Sequence, residues 1–400
     1  MNTAFLVIAS GILAFTVPIF SPTSVISSEI IARIVFFLVI IFSSVYLLTK
    51  NKNNTNKTYT KKTRKVYYRL RCKLFAISIL MLIMLVYQTI IQLLGFGFGT
   101  IFTIDLAVIF PVLIILTYIY IEQVDKRLIN PDDGYYNLGR VILKKKKWLW
   151  SEQKIFTLSW MIKILFIPFM YSGTISTLTQ LVEITPKLSI EQILHWLFLA
   201  GLTVDLIFGS IGYLLASPIF RNQIKSVDDT WDGWLVCLIC YPPFISLILA
   251  AKAQTDDIIW SNWLTPSDFS YWIVALVIVI TWIGYWASTV SFGSKFSNLS
   301  WRGLVSHGPY ALSKHPAYIC KNIYWWVYTV PFIGNSSLDI LRNTLALTFV
   351  SGIYYLRAKT EERHLLKFPE YAEYYSHIEK HGLLARIRSL LSFKAKQNLN

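Results

Sequence analysis

Two polar stretches toward the end of the chain carry side chains suited to gripping a charged ligand. The first, LSWRGLVSHGPYALSKHPAYICKNIYWW over residues 299–326, runs through a Gly308-Pro309 turn and then sets Tyr310, Lys314, His315, Pro316 and Tyr318 at the entrance to an apolar helix. Proline is tolerated in the first helical turn, where its missing N–H costs little, so His315 stands beside the unsatisfied donors of a helix start. Such an end attracts anionic groups. The second stretch, YYLRAKTEERHLLKFPEYAEYYSHI over residues 354–378, puts Arg357 and Glu361 four apart on one helical face. Glu362 is turned about 100° away from Glu361, so the two carboxylates do not share a partner by stacking along the helix. One is expected to pair with Arg357 and the other to face a ligand.

The elements that must position these stretches are membrane helices. Hydrophobic residues make up 54% of the 400, charged residues only 15%, and the mean hydropathy is +0.50, well outside the range of soluble domains. Apolar runs of about 20 residues, each long enough to cross roughly 30 Å of hydrocarbon, predict an all-α integral membrane protein with about ten transmembrane helices. They lie near 4–20, 29–49, 74–97, 101–121, 156–177, 191–217, 233–251, 270–292, 319–333 and 339–356. The first is read as a retained helix, because no Lys or Arg precedes it and no A-x-A-like cleavage site follows. In the seventh, the CYPPF stretch with Pro242 and Pro243 removes two backbone donors and must kink or break the helix. A broken membrane helix makes a candidate cavity wall.

Net charge of +16 does not signify nucleic acid, because the basic residues are distributed by loop. Segments 50–73, 122–155, 218–232, 293–321 and 357–400 hold 33 of the 38 Lys and Arg. In the ten-helix count all five fall on one side, which places them and both termini in the cytoplasm and frees the two polar stretches to meet there. Each charge run reads as a solvated loop. Cys237 and Cys240 form a C-x-x-C inside an apolar run with no His or acidic residue nearby, a packing arrangement rather than a metal or redox one. Loop character changes near residue 220, which divides the chain into a six-helix N-terminal bundle (1–220) and a four-helix catalytic part with a soluble tail (221–400).

The pattern G-P-Y-x-x-x-[R/K]-H-P-x-Y, followed one helix hairpin later by R-x-x-x-E-E and a Tyr-rich tail with Tyr371 and Tyr374, resembles the isoprenylcysteine carboxyl methyltransferase and phospholipid methyltransferase superfamily over residues 265–380. The resemblance implies S-adenosyl-L-methionine as cofactor, in a cytoplasm-facing pocket, and a lipidic or lipid-anchored substrate entering from the bilayer. It implies that His315 and one of Glu361 or Glu362 hold the methionine portion, with Lys314, Pro316, Tyr310 and Tyr318 also at the cofactor, and that Arg357 orients the substrate head group beside Glu361. No metal is implied. Lys314 stands where the family usually has Arg, a point charge in place of a bidentate fork, and the six-helix half has no counterpart in the smaller members.

Methyl transfer from a sulfonium to a carboxylate consumes two opposite charges, so a dry pocket that aligns the partners favours it; an amine acceptor would instead have to lose a proton, which a nearby carboxylate can take. Three other readings stay open: a phospholipid amine N-methyltransferase, an NADPH-dependent sterol-type reductase, and a non-enzymatic transporter or scaffold, against which no inverted repeat is visible. His195 and Lys163 are intramembrane polar groups with no motif around them. The basic amphipathic stretch 383–393 is expected on the inner leaflet.

Overall fold

The computed structural model of the chain describes residues 27–50, 64–97, 99–128, 130–184 and 189–389. The predicted span 4–20 lies outside them, as do residues 51–63 and 390–393 of two predicted segments. The described residues are helical throughout except for one two-residue ladder and connecting turns. They form two compact units, one running as far as Val227 and including Ser294–Arg302, the other made of Asp228–Gly293 and the chain from Gly303.

The first unit contains α1 (Ser28–Lys50), α2 (Arg64–Leu93), α3 (Thr100–Asp125), α4 (Gly134–Ile142), α5 (Trp150–Glu183) and α6 (Ile190–Leu214), then strand β1 (Ser226–Val227), paired antiparallel with β2 (Ser300–Trp301). The second contains α7 (Trp231–Leu238), α8 (Ile245–Lys252), α9 (Trp260–Trp263), α10 (Phe269–Phe292), α11 (Pro316–Thr329), α12 (Ser337–Leu365) and α13 (Pro369–His381). Six of these, α1, α2, α3, α5, α6 and α10, are long and apolar enough to cross a membrane. Their outward faces fit that solvent: on α3, Val108 and Ile115 are 74% and 65% exposed, an arrangement unfavourable in water and neutral in lipid, whose tails are as apolar as these side chains.

The remaining predicted spans have different forms. Run 233–251 is interrupted at the Pro242-Pro243 pair into α7 and α8, each of eight residues. Run 319–333 becomes α11, whose 14 residues rise only about 21 Å, short of the hydrocarbon thickness. Run 339–356 lies in α12, 29 residues long but more polar. Its N-terminal turns bond the end of α8, with Arg342 donating to the Ala250 carbonyl at 3.3 Å and Asn343 Nδ2 to Gln254 Oε1 at 3.0 Å.

Two segments read as solvated loops are built into the first unit. Residues 64–73 begin α2 rather than end a loop, and Arg69 and Lys73 are buried. Arg69 Nη2 lies 2.7 Å from Asp125 at the end of α3, while Lys73 Nζ bridges Asp125 at 2.8 Å and Asp133, the N-cap of α4, at 2.9 Å. Two carboxylates so placed make burial of two cations tolerable. In segment 122–155, α4 packs backbone against backbone on α2, where a Cβ at Gly139 would meet the Cys72 carbonyl oxygen. Asp125→Asn, which strips the shared counter-charge from both cations, is expected to destabilise the unit by about 3 kcal/mol or more. Thermal unfolding in detergent reads this; a parental midpoint would mean that the ion cluster is not structural.

The segment 294–302, predicted to belong with the C-terminal part, is held in the first unit instead. Besides the β1–β2 ladder, Asn298 donates through N and Nδ2 to the Tyr213 hydroxyl at 2.8 Å. In the second unit the core is Cys240, Ile248, Trp325, Leu347, Val350, Ile353 and Tyr354, with Tyr241 and Tyr318 packed on its edge. This edge supports the two polar stretches.

Candidate functional site

The motif residues of the two stretches converge within the second unit. Pro316 occupies the first turn of α11 and leaves His315 at its N-cap, as expected from the missing proline donor. Across from it, the last turns of α12 present Arg357, Glu361 and Glu362. His315 Nε2 lies 3.1 Å from Glu362 Oε1, and its Nδ1 lies 3.8 Å from Glu361 Oε2. The carboxylates are turned apart on their own helix, as their spacing predicts, and a ring arriving from another element stands between them, bonded to Glu362 and only near Glu361.

The carboxylates differ sharply in environment. Glu362 is enclosed by cations: Oε1 also receives Lys314 at 3.1 Å and Oε2 receives Lys359 at 2.8 Å. Burial alone would raise its carboxyl, but hydrogen bonds from His315, Lys359 and Lys314 outweigh burial and hold it at about 2. An ionised carboxylate only accepts, so the facing His315 Nε2 carries a proton. Glu361 is the more open, its side chain 30% exposed against 7% for Glu362. Its Oε1 accepts from the Tyr318 hydroxyl at 2.5 Å and faces Arg357 Nε at 3.7 Å. Its Oε2 meets only the distant His315 nitrogen, too far for a hydrogen bond.

Arg357 is buried, with its guanidinium carbon 5.0 Å from the Tyr241 ring centre and 5.2 Å from that of Tyr318, and Nη2 donates to the Tyr241 hydroxyl at 3.2 Å. Tyr318 in turn stacks on His315, the rings 7° from parallel, and meets Tyr354 edge-on. Cations over aromatic faces gain electrostatically from the ring quadrupole.

Helix α13 fastens the first stretch in place. The Tyr374 hydroxyl donates to the Tyr310 carbonyl at 2.7 Å and lies 3.2 Å from the Ser313 carbonyl. Lys314 pairs with Glu379 and lies over the Tyr375 ring at 3.7 Å. Tyr310 is buried with its ring against Phe292, so its role in positioning runs through its carbonyl. Among the described residues, no three His, Cys, Asp or Glu side chains are grouped to hold a metal ion.

Several members of this site escaped the sequence reading. Tyr241 is delivered by the break beside Pro242, and only the CYPPF signal hinted at it. Lys359 is three residues before Glu362, a helical spacing readable in retrospect. His364, three after Glu361, is 4% exposed and neither ring nitrogen has a hydrogen-bond partner among the described residues; burial depresses its basicity. Arg363 is bidentate to Asp232 at 2.8 and 2.9 Å and ties α12 to α7.

No protein-family model, curated protein or solved structure matches the chain.

Proposed function

We propose that the second unit is the catalytic part of a membrane-embedded methyltransferase that uses S-adenosyl-L-methionine and acts on the carboxylate of an isoprenylcysteine or another lipid-anchored acceptor reaching it from the bilayer. The observation that carries this reading is the meeting of Lys314, His315 and Tyr318 with Arg357, Glu361 and Glu362 around one cluster, from stretches more than 40 residues apart. Within this reading the chain crosses the membrane about ten times, both termini are cytoplasmic, and the helices of the C-terminal part bundle around the site.

The side chains present fit such a cofactor. The methionine carboxylate calls for donors, which the start of α11 and Lys314 supply. Its ammonium calls for an acceptor, and Glu361 Oε2 is the less engaged carboxylate oxygen. The sulfonium calls for aromatic faces, which Tyr318 and Tyr354 offer. A buried imidazole with two unused nitrogens, His364, suits a hydroxyl of the nucleoside. When bound, the cofactor supplies an electrophilic methyl group. Glu362 organises His315, Lys314 and Lys359 rather than touching ligand, and Arg357, pinned between two rings, orients the acidic head of the acceptor. Arg357 and Tyr354 are buried, and opposite charges brought together beside them attract more strongly than in water.

Calorimetry on the purified protein in detergent is expected to give heat with S-adenosylmethionine and S-adenosylhomocysteine and none with NADPH. Binding of NADPH alone would favour the reductase reading.

A further inference from the structure

Apart from the ion cluster of α2 and α3, the first unit contains a second pair of interior cations, and this pair is handled differently. Lys163, on α5, makes one hydrogen bond, 3.3 Å to the Ala216 carbonyl just beyond the end of α6, and its ammonium stands 5.1 Å from the centre of the Trp160 ring. Arg302, immediately after β2, is 6% exposed. Its Nη1 donates to the Gly212 and Phe296 carbonyls at 2.7 and 3.0 Å, and its Nη2 to the Asn222 carbonyl at 2.5 Å. Its Nε–H is buried with no acceptor among the described residues.

The two cations bond carbonyls four residues apart at the end of α6, Ala216 and Gly212, and neither forms an ion pair with a carboxylate among the described residues. Burial pushes the Arg302 guanidinium down to about 10. Elsewhere in the same unit Arg69 and Lys73 meet two carboxylates; here, like charges are left with carbonyl dipoles and one indole face, although buried charge is costly without a counter-ion. Capping of the C-terminal carbonyls of α6 explains the Gly212 contact. It does not explain the idle Nε–H, nor an ammonium with three donors and one long bond. Every unused group is a positive donor, and the complement is an oxyanion. Both groups bond carbonyls of the last turn of α6 or just beyond it, where the apolar run 191–217 gives way to polar loops, and basic sites at such borders recognise anionic lipids.

We propose that Lys163 and Arg302 form a binding site for a phosphate oxyanion, that of an anionic lipid head group, at the end of α6. The site is independent of the reading of the second unit. The test compares the full chain in micelles doped with phosphatidylglycerol, in micelles doped with phosphatidylcholine, and with inorganic phosphate alone, by thermal midpoint and by native mass spectrometry of retained lipid. Phosphatidylglycerol is expected to raise the midpoint and remain bound, and phosphatidylcholine to do neither. Lys163→Met, chosen because Lys163 makes only one hydrogen bond, should weaken phosphatidylglycerol retention about tenfold or more, and Lys163→Arg should restore most of it. A full shift with inorganic phosphate alone would support the oxyanion site and assign it to a free anion. The proposal is overturned if the parent protein responds alike to both lipids and not to phosphate, or if Lys163→Met retains phosphatidylglycerol as the parent does.

Discussion

Glu362→Ala is expected to lower stability by roughly 2–4 kcal/mol and to remove binding of the adenosyl ligands altogether. Two lysines and the donor nitrogen of His315 converge on this carboxylate from two elements, and breaking such a buried set leaves groups that were tolerable only in its presence. Glu362 is buried, so its loss is felt in folding as well as in binding. The pH dependence has a definite sign. Glu362 is held at about 2, against an ordinary value of 4.5, so its contribution is complete above about 4.5 and is lost as the pH falls toward 2. Allowing for solvent screening, about 1–2 kcal/mol disappears across that window. Thermal melts of parent and Glu362→Gln at pH 7 and pH 3 check this, because the variant should lose less than the parent on acidification. Parallel losses would mean that other carboxyls govern the acid limb.

Arg357→Lys is expected to fold, to bind S-adenosylhomocysteine within about threefold of the parent, and to lower methyl transfer by roughly 100-fold. The charge survives the substitution, but a flat guanidinium held between two tyrosine rings is replaced by a compact ammonium that neither stacks nor presents a fork to a carboxylate. A misaligned acceptor is penalised in the reaction step rather than in cofactor binding. If cofactor affinity falls in step with turnover, Arg357 acts by setting Glu361, 3.7 Å away, and not by orienting the acceptor.

The readable parts of this molecule were those where a local rule determines the outcome. Pro316 dictates a helix start and thereby the place of His315, and the spacing of Arg357 and Glu361 dictates a shared face; both are seen. Length and apolarity reveal five of the spans inside the described residues at nearly their full extent, along with α3, whose exposed valine and isoleucine mark it as lipid-facing. Sequence could not reveal what depends on another element's arrival. Which carboxylate would be enclosed turned on where the 314–315 turn came to rest, and α13, far along the chain, decides that through Tyr374 and Glu379. Arg69 and Lys73 looked like loop charges because their neighbours at 50–65 are basic and polar; their partners Asp125 and Asp133 lie more than 50 residues away. The same holds for Tyr241, whose meeting with Arg357 spans the break at Pro242 and Pro243.

The most direct measurement is transfer of a labelled methyl group from S-adenosylmethionine, by the purified full chain, to total membrane lipid and to prenyl-cysteine analogues. The labelled product is extracted into organic solvent and identified. The parent protein is expected to label an organic-soluble acceptor bearing a carboxylate, and Glu361→Gln, expected to fold because the side chain is 30% exposed but lacking the charge facing the ligand, is expected to label little or none. Folded parent protein that labels no lipid and no prenyl-cysteine, or Glu361→Gln that labels them at the parental rate, would contradict the assignment of this site to methyl transfer.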